Sequence, residues 1–173
     1  TFDSFDTGGV AYNDYRARRE QLASASYYLR HAFTVDGVSP LAVPGISRHL
    51  VVTDSDEHGE EGHIIEDAET RNRMVDKRLL KKLPGLKEEI APPLLYGSDK
   101  PETIIVGWGS TYGVMKEAVD SLAGEGDIAM LHFSEVYPFP DTGSFDYLTL
   151  LENARVTVCI ENNAGGQFAR LMR

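Results

Sequence analysis

The spacing of apolar residues changes character near residue 102. From Thr103 onward, short apolar runs alternate with helical stretches. Ile104-Ile105-Val106, Ile128-Ala129-Met130-Leu131 and Val156-Thr157-Val158-Cys159-Ile160 are continuous apolar runs, the pattern of strands buried on both faces. Strands are expected at 103–107, 127–133 and 155–160. Helices are expected at 111–123 and near 144–152, and a further one begins at Gly165-Gly166. Strands separated by helices of this length predict a mainly parallel sheet in a three-layer α/β/α arrangement.

Upstream the pattern is looser. Residues 1–13 read as loop. Residues 14–30 read as helix, with Tyr15, Leu22, Ser26 and Leu29 near one face and Arg16, Arg18, Arg19 and Glu20 on a wet one. Residues 34–46 carry the turn signals Asp36-Gly37, Ser39-Pro40 and Pro44-Gly45. His49-Leu50-Val51-Val52-Thr53 predicts a short strand, and 54–66 an acidic loop. A helix then starts at an Asp67 or Glu66 cap. Met74, Val75, Leu79, Leu80 and Leu83 form its apolar stripe. Arg71, Arg73, Lys77, Arg78, Lys81 and Lys82 form its basic face, and the basic last turns favour the helix dipole. Pro84-Gly85 is predicted to end it, leaving 85–101 extended or turning. The expected organisation is therefore an irregular arm with a helix over 1–48, then a strand, acidic loop, basic helix and connection over 49–101 packed on the core, and an α/β core over 102–173.

Bulk properties narrow the classes. At 173 residues a sizeable core can form without staples. The formal charge of −10 argues against a nucleic-acid or anionic-membrane partner, which would need a basic patch. With Cys159 as the one cysteine, this segment can build neither an intramolecular disulfide nor an iron–sulfur cluster. No apolar run approaches a bilayer span and no signal peptide is visible, so a cytoplasmic protein is expected. The chain starts at Thr1 and stops at Arg173 inside a helical pattern, so both ends read as cut, with the core truncated at its C-terminus.

Four features carry candidate chemistry. Gly107-Trp108-Gly109-Ser110 lies between a strand and a helix, where backbone amides can hold a phosphate. It lacks the third glycine of a dinucleotide fingerprint and the lysine of a phosphate-binding loop, and Ser110 or Thr111 as a plain helix cap accounts for it equally. The run Asp56-Glu57-His58-Gly59-Glu60-Glu61-Gly62-His63 has donors for a divalent metal. Its glycines and spacing fit an irregular solvated or interface loop better than a helical metal site. Glu161-Asn162-Asn163-Ala164-Gly165-Gly166-Gln167 follows a strand. There, ligand binding, turn chemistry and a contact with another subunit all stay open. His132 reads as a satisfied strand-end histidine and Cys159 as an inert thiol. Ser110, Ser134 and Ser144 have no nucleophile-elbow context.

Three stretches taken together resemble the alpha subunit of the 2-oxoacid:ferredoxin oxidoreductases, the 2-oxoglutarate type most closely. The first is Thr34-Val35-Asp36-Gly37-Val38-Ser39-Pro40 with Pro44-Gly45. The second runs from Glu57-His58-Gly59-Glu60-Glu61-Gly62-His63 through Ile64-Ile65-Glu66-Asp67 to Arg71 and Met74-Val75-Asp76-Lys77-Arg78. The third is Val106-Gly107-Trp108-Gly109-Ser110-Thr111, followed by Tyr137-Pro138-Phe139-Pro140 and the Glu161–Gln167 segment. Leu41 and Gly59 depart from that pattern, standing where the family often has Arg and Asp.

The resemblance implies a region similar to the C-terminal domain of transketolases. It implies a parent complex that decarboxylates a 2-oxoacid on thiamine diphosphate, reduces ferredoxin and forms an acyl-coenzyme A. By that comparison the preceding alpha domain cups the cofactor's aminopyrimidine. The beta subunit holds the diphosphate, magnesium and an iron–sulfur cluster. No catalytic, cofactor or metal residue is then expected in this segment. Its expected role is structural: contacts with the beta subunit and the rest of the alpha subunit, carried by Glu57, His58, Glu61, His63, Ser110, Glu161, Asn162, Asn163 and Gln167. The rival expectations are a stand-alone small-molecule or nucleotide-binding α/β domain, and a domain of another thiamine-diphosphate enzyme.

Overall fold

The computed structural model describes residues 16–17 and 19–173. The loop read at 1–13 and the start of the helix read at 14–30 lie outside the described residues. The chain divides into two compact units, one ending at Gly85 and the other spanning Leu86–Arg173.

The second unit is a mixed α/β layer structure. Its four strands, β1 (Leu94–Gly97), β2 (Thr103–Trp108), β3 (Ile128–Phe133) and β4 (Val156–Ile160), lie in the order β1-β3-β2-β4. β2 is parallel to both β3 and β4, whereas β1 pairs antiparallel with β3. Strand alternation separates two cores. Ile104, Val106, Leu131 and Phe133 face one side, where they meet Tyr147 of helix α5 (Tyr147–Asn153) and Phe168 of helix α6 (Gln167–Leu171). Ile105, Ile128 and Met130 face the other, against Met115 and Val119 of helix α4 (Tyr112–Ser121). Helices therefore cover both faces, as the apolar runs predict.

β4 departs from the expectation. It is an edge strand, and Val156, Val158 and Ile160 on its α4-facing side are 41%, 42% and 37% exposed. Helix α4 lies across β1, β2 and β3, so an apolar run that reads as doubly buried is covered on one side only. β1 falls within the stretch read as extended or turning. It forms a ladder because Leu94 to Gly97 register against His132 to Ala129.

The first unit is mostly irregular. Helix α1 is short (Arg19–Ser24). The expected continuation to residue 30 gives way to tertiary bonds: the Tyr28 hydroxyl donates to the Pro40 carbonyl at 2.9 Å and accepts from the Ala42 amide at 2.9 Å. The strand expected at 49–53 does not form a ladder. Its segment is held by single bonds, His49 Nε2 to the Leu22 carbonyl at 2.9 Å and the Asp54 amide to the Gly62 carbonyl at 2.9 Å.

Helix α2 (Ala68–Asp76) starts as expected, with the Asp67 carboxylate accepting from the Thr70 amide at 2.7 Å. Pro84-Gly85 does not end the helical path. A π-helical segment, Lys77–Lys82, leads into helix α3 (Leu83–Glu89). The Leu83 amide reaches back five residues to the Arg78 carbonyl. That wider turn relieves the crowding a proline ring imposes on the preceding turn.

Candidate functional site

Two regions hold the residues singled out from the sequence, one in each unit. In the first unit, the Glu57–His63 segment is an ordered miniature hairpin. The Gly59 amide donates to the His63 carbonyl at 2.9 Å and the Ile65 amide to the Glu57 carbonyl at 3.0 Å, around a His58–Ile64 bridge. Gly62 makes the hairpin feasible. Its φ is +95°, and an added Cβ would lie 1.9 Å from the Val52 carbonyl oxygen.

The two imidazoles of this hairpin diverge. His63 points outward, its Nδ1 3.5 Å from Asp54 Oδ2. His58 turns inward, edge-on to the His31 ring, with centroids 3.8 Å apart. Glu57 is held by a two-pronged bond from the Arg78 guanidinium at 2.8 and 2.7 Å. That bond keeps the Glu57 carboxyl below the usual carboxylate range and raises Arg78. Glu61 is exposed. With Phe33, Glu60, His63, Thr70 and Arg73 it lines an open cleft of about 320 Å³, in which the Arg73 guanidinium stacks 4.2 Å over the Phe33 ring.

Two residues of this region escaped sequence reasoning. Lys77, read as part of the basic face, is only 6% exposed. Its ammonium donates to the His31 carbonyl at 2.8 Å and to the Ser39 hydroxyl, and burial pushes its pKa down to about 8. His31 is pushed down to about 4, first by burial and then by the facing His58. His31 Nε2 and His58 Nδ1 are both buried without a hydrogen-bond partner. The carboxylate of Glu57 nearest His58 Nδ1 lies at 3.9 Å, too far for a hydrogen bond. Nothing in the periodicity marks Lys77 apart from Lys81 or Lys82; only the fold of the 31–39 loop onto the helix does.

In the second unit, the candidate turns sit at the carboxyl ends of the parallel strands. After β2 the chain makes a 3₁₀ turn, Gly109–Thr111, before α4. Neither Ser110 nor Thr111 caps the helix with its side chain. The Thr111 hydroxyl instead donates back to the Trp108 carbonyl at 2.8 Å, and Ser110 is exposed. Gly107 permits the close approach: a Cβ there would lie 2.3 Å from Met115 Sδ and 2.7 Å from Thr111 Oγ1. His132, at the end of β3, is satisfied as expected, with Nε2 2.8 Å from the Gly109 carbonyl oxygen.

After β4, Glu161 folds the next turn around its own carboxylate. It accepts from the Phe168 amide at 3.0 Å, the Ala169 amide at 3.1 Å and the Asn163 side-chain amide. The backbone amides, that of Phe168 foremost, hold its carboxyl below the usual range. Asn163 Oδ1 accepts from the Gln167 amide at 3.1 Å, and Gly166 adopts the left-handed conformation at φ 58°, ψ 47°. The opening amides of α6 are thus taken by the chain's own Glu161 and Asn163, where an external anion would otherwise sit. Asn162 and the Gln167 side chain remain exposed.

Among known proteins, no family model matches the chain. It is similar to curated alpha subunits of 2-oxoacid:ferredoxin oxidoreductases. The one from Sulfurisphaera tokodaii is 32% identical over 149 residues, 84% of this chain. One from Aeropyrum pernix is 34% identical over 152 residues, again 84% of this chain. The chain spans about a fifth of the length of these relatives, 22% in each case. A solved 2-oxoglutarate:ferredoxin oxidoreductase from Magnetococcus marinus, with 2-oxoglutarate, coenzyme A and succinyl-CoA bound, matches 87% of this chain and 26% of its own. The identity there is 27% and the TM-score 0.58. Over most of its length, then, this sequence corresponds to one stretch of a 2-oxoacid:ferredoxin oxidoreductase alpha subunit.

Proposed function

We propose that this chain is the back part of the alpha subunit of a 2-oxoacid:ferredoxin oxidoreductase, and that it works as a structural and assembly region rather than as the seat of the reacting groups. In this reading the complete enzyme is cytoplasmic, oxidatively decarboxylates a 2-oxoacid to an acyl-CoA and reduces ferredoxin. Likeness to the Magnetococcus marinus enzyme favours 2-oxoglutarate as substrate. Residues 102–173 are the transketolase-C-like core. The beta subunit and the rest of the alpha subunit supply thiamine diphosphate, magnesium and iron–sulfur sites.

The observation that carries this reading is the Glu161 turn. At the carboxyl end of a parallel sheet, a ligand site needs backbone amides that are free to bind. Here Glu161 and Asn163 consume them, and no lysine accompanies the Gly107–Thr111 turn. The residues present do not fit a diphosphate, so no catalytic step is assigned to them. What the region can do is hold neighbouring domains in register, where a small misplacement costs on the order of 100-fold in rate.

The test uses the complete complex. It is expected to reduce ferredoxin in a 2-oxoacid- and coenzyme A-dependent manner. Ser110→Ala, Glu61→Gln and Asn162→Ala are expected to change the fraction of assembled complex on size-exclusion chromatography, with turnover per assembled complex unchanged. A loss of turnover in fully assembled complex would place these side chains in the chemistry and refute the assembly role.

A further inference from the structure

The first unit has little interior of its own. Among its described residues only Leu22, Ala42 and Met74 are buried apolar side chains, against ten in Leu86–Arg173. The helical path that begins at Ala68 makes the imbalance specific. Its inner side carries Met74 and the buried Lys77, whose ammonium is spent on the 31–39 loop. Gly37, at φ +77°, lies against the Lys77 carbonyl and the Lys82 amide, so the chain's own loop already fills the inner side of the π turn.

The leucines face away. Leu79 is 52% exposed and Leu80 is 70% exposed, and Val75 and Leu83 are only half-buried. Val75, Leu79 and Leu83 recur at four-residue steps and form one stripe, with Leu80 beside it. A helix that buries a lysine and wets its leucines inverts ordinary amphipathicity. It gains the usual burial energy only when another surface covers the stripe. The rim is cationic: residues 77–87 hold five Lys and Arg and no Asp or Glu, in a chain of net charge −10.

We propose that the Val75–Leu83 stripe is the seat of a part of the same alpha-subunit polypeptide that lies outside these 173 residues. That part presents apolar side chains at its centre and Asp or Glu opposite Lys81 and Lys82. The proposal rests on the alpha-subunit reading above. An intrachain occupant is favoured over a separate subunit because a unit so short of interior must be completed as it folds. A late-arriving partner would leave bare leucines in water until assembly. The curated relatives are long enough to supply it, since this chain spans 22% of their length.

The experiment uses the full-length alpha subunit, alone and assembled. In unmodified protein, zero-length carbodiimide cross-linking is expected to join Lys81 or Lys82 to an Asp or Glu of the same polypeptide outside this segment. In Leu80→Cys protein, maleimide alkylation at residue 80 is expected to be slower than in urea-unfolded protein by on the order of tenfold or more. That protection is expected to be the same at low and high concentration and unchanged by adding the other subunits. Alkylation at the unfolded rate, protection gained only on assembly, protection lost on dilution, or cross-links absent or confined to another polypeptide would each overturn the proposal. Ferredoxin reduction is measured on the same preparation. Intrachain cross-links without 2-oxoacid-driven reduction would sink the proposed activity and leave the seat standing; the converse would do the opposite.

Discussion

Acid should loosen the first unit through His31 before general acid unfolding sets in. The imidazole faces His58, Arg30, Lys77 and Arg78, and burial with these neighbours lowers its pKa from 6.5 to about 4. The folded state therefore binds fewer protons than the unfolded state between those two values. For a base with a lowered folded pKa, the associated stability is fully present above pH 6.5 and is lost as the pH falls toward 4. The full shift corresponds to about 3 kcal/mol. The ring is partly solvated, so about 1–2 kcal/mol is the working value after screening.

The assay compares urea unfolding of the protein and its His31→Gln variant at about pH 7 and about pH 4.5. The quantity read is the difference between the two proteins in how much stability acid removes, because the remaining titrating groups are shared. The native protein should lose about 1–2 kcal/mol more than the variant across that interval. Equal losses, or a larger loss in the variant, would refute the reasoning, as would an NMR titration of the His31 ring near the ordinary imidazole value.

Two glycine substitutions test the backbone arguments. Gly107→Ala brings a methyl group against Met115 Sδ and Thr111 Oγ1 and should destabilise the second unit by about 1–3 kcal/mol in denaturant melts; an unchanged midpoint would show that the turn has room. Gly62→Ala meets both a positive φ and the Val52 carbonyl. Amide exchange at Gly59 and Ile65 should therefore lose its protection, while that of β2 and β3 stays unchanged.

The architecture of the second unit was legible because its signals are local. Three apolar runs, separated by helical spacing and Gly-rich turns, leave few alternatives to a parallel α/β layer. What could not be read locally was which strand stands at an edge. Val156–Ile160 looks like Ile128–Leu131 in composition, yet β3 lies between β1 and β2 while β4 is left at the margin. Strand order depends on crossovers, not on the run itself. The candidate residues divide the same way. The turn chemistry of Asn163 and Gly166 was written in residue type, but the closure of Glu161 on amides seven and eight residues ahead needed the helix in place.

Sequence by itself determined the fold class of Leu86–Arg173, the Asp67 helix start, the satisfied state of His132 and the correspondence to an oxidoreductase alpha subunit. Periodicity, capping and motif order are properties of neighbours along the chain. Only the tertiary structure decided that Lys77 is buried while Leu79 and Leu80 are exposed, that Pro84 rides through a π turn, and that His58 meets His31. Each depends on the 31–39 loop packing against the helix path from across some forty residues of sequence. The burial and charge state of a side chain are set by what the rest of the chain places beside it, and no local pattern contains that information.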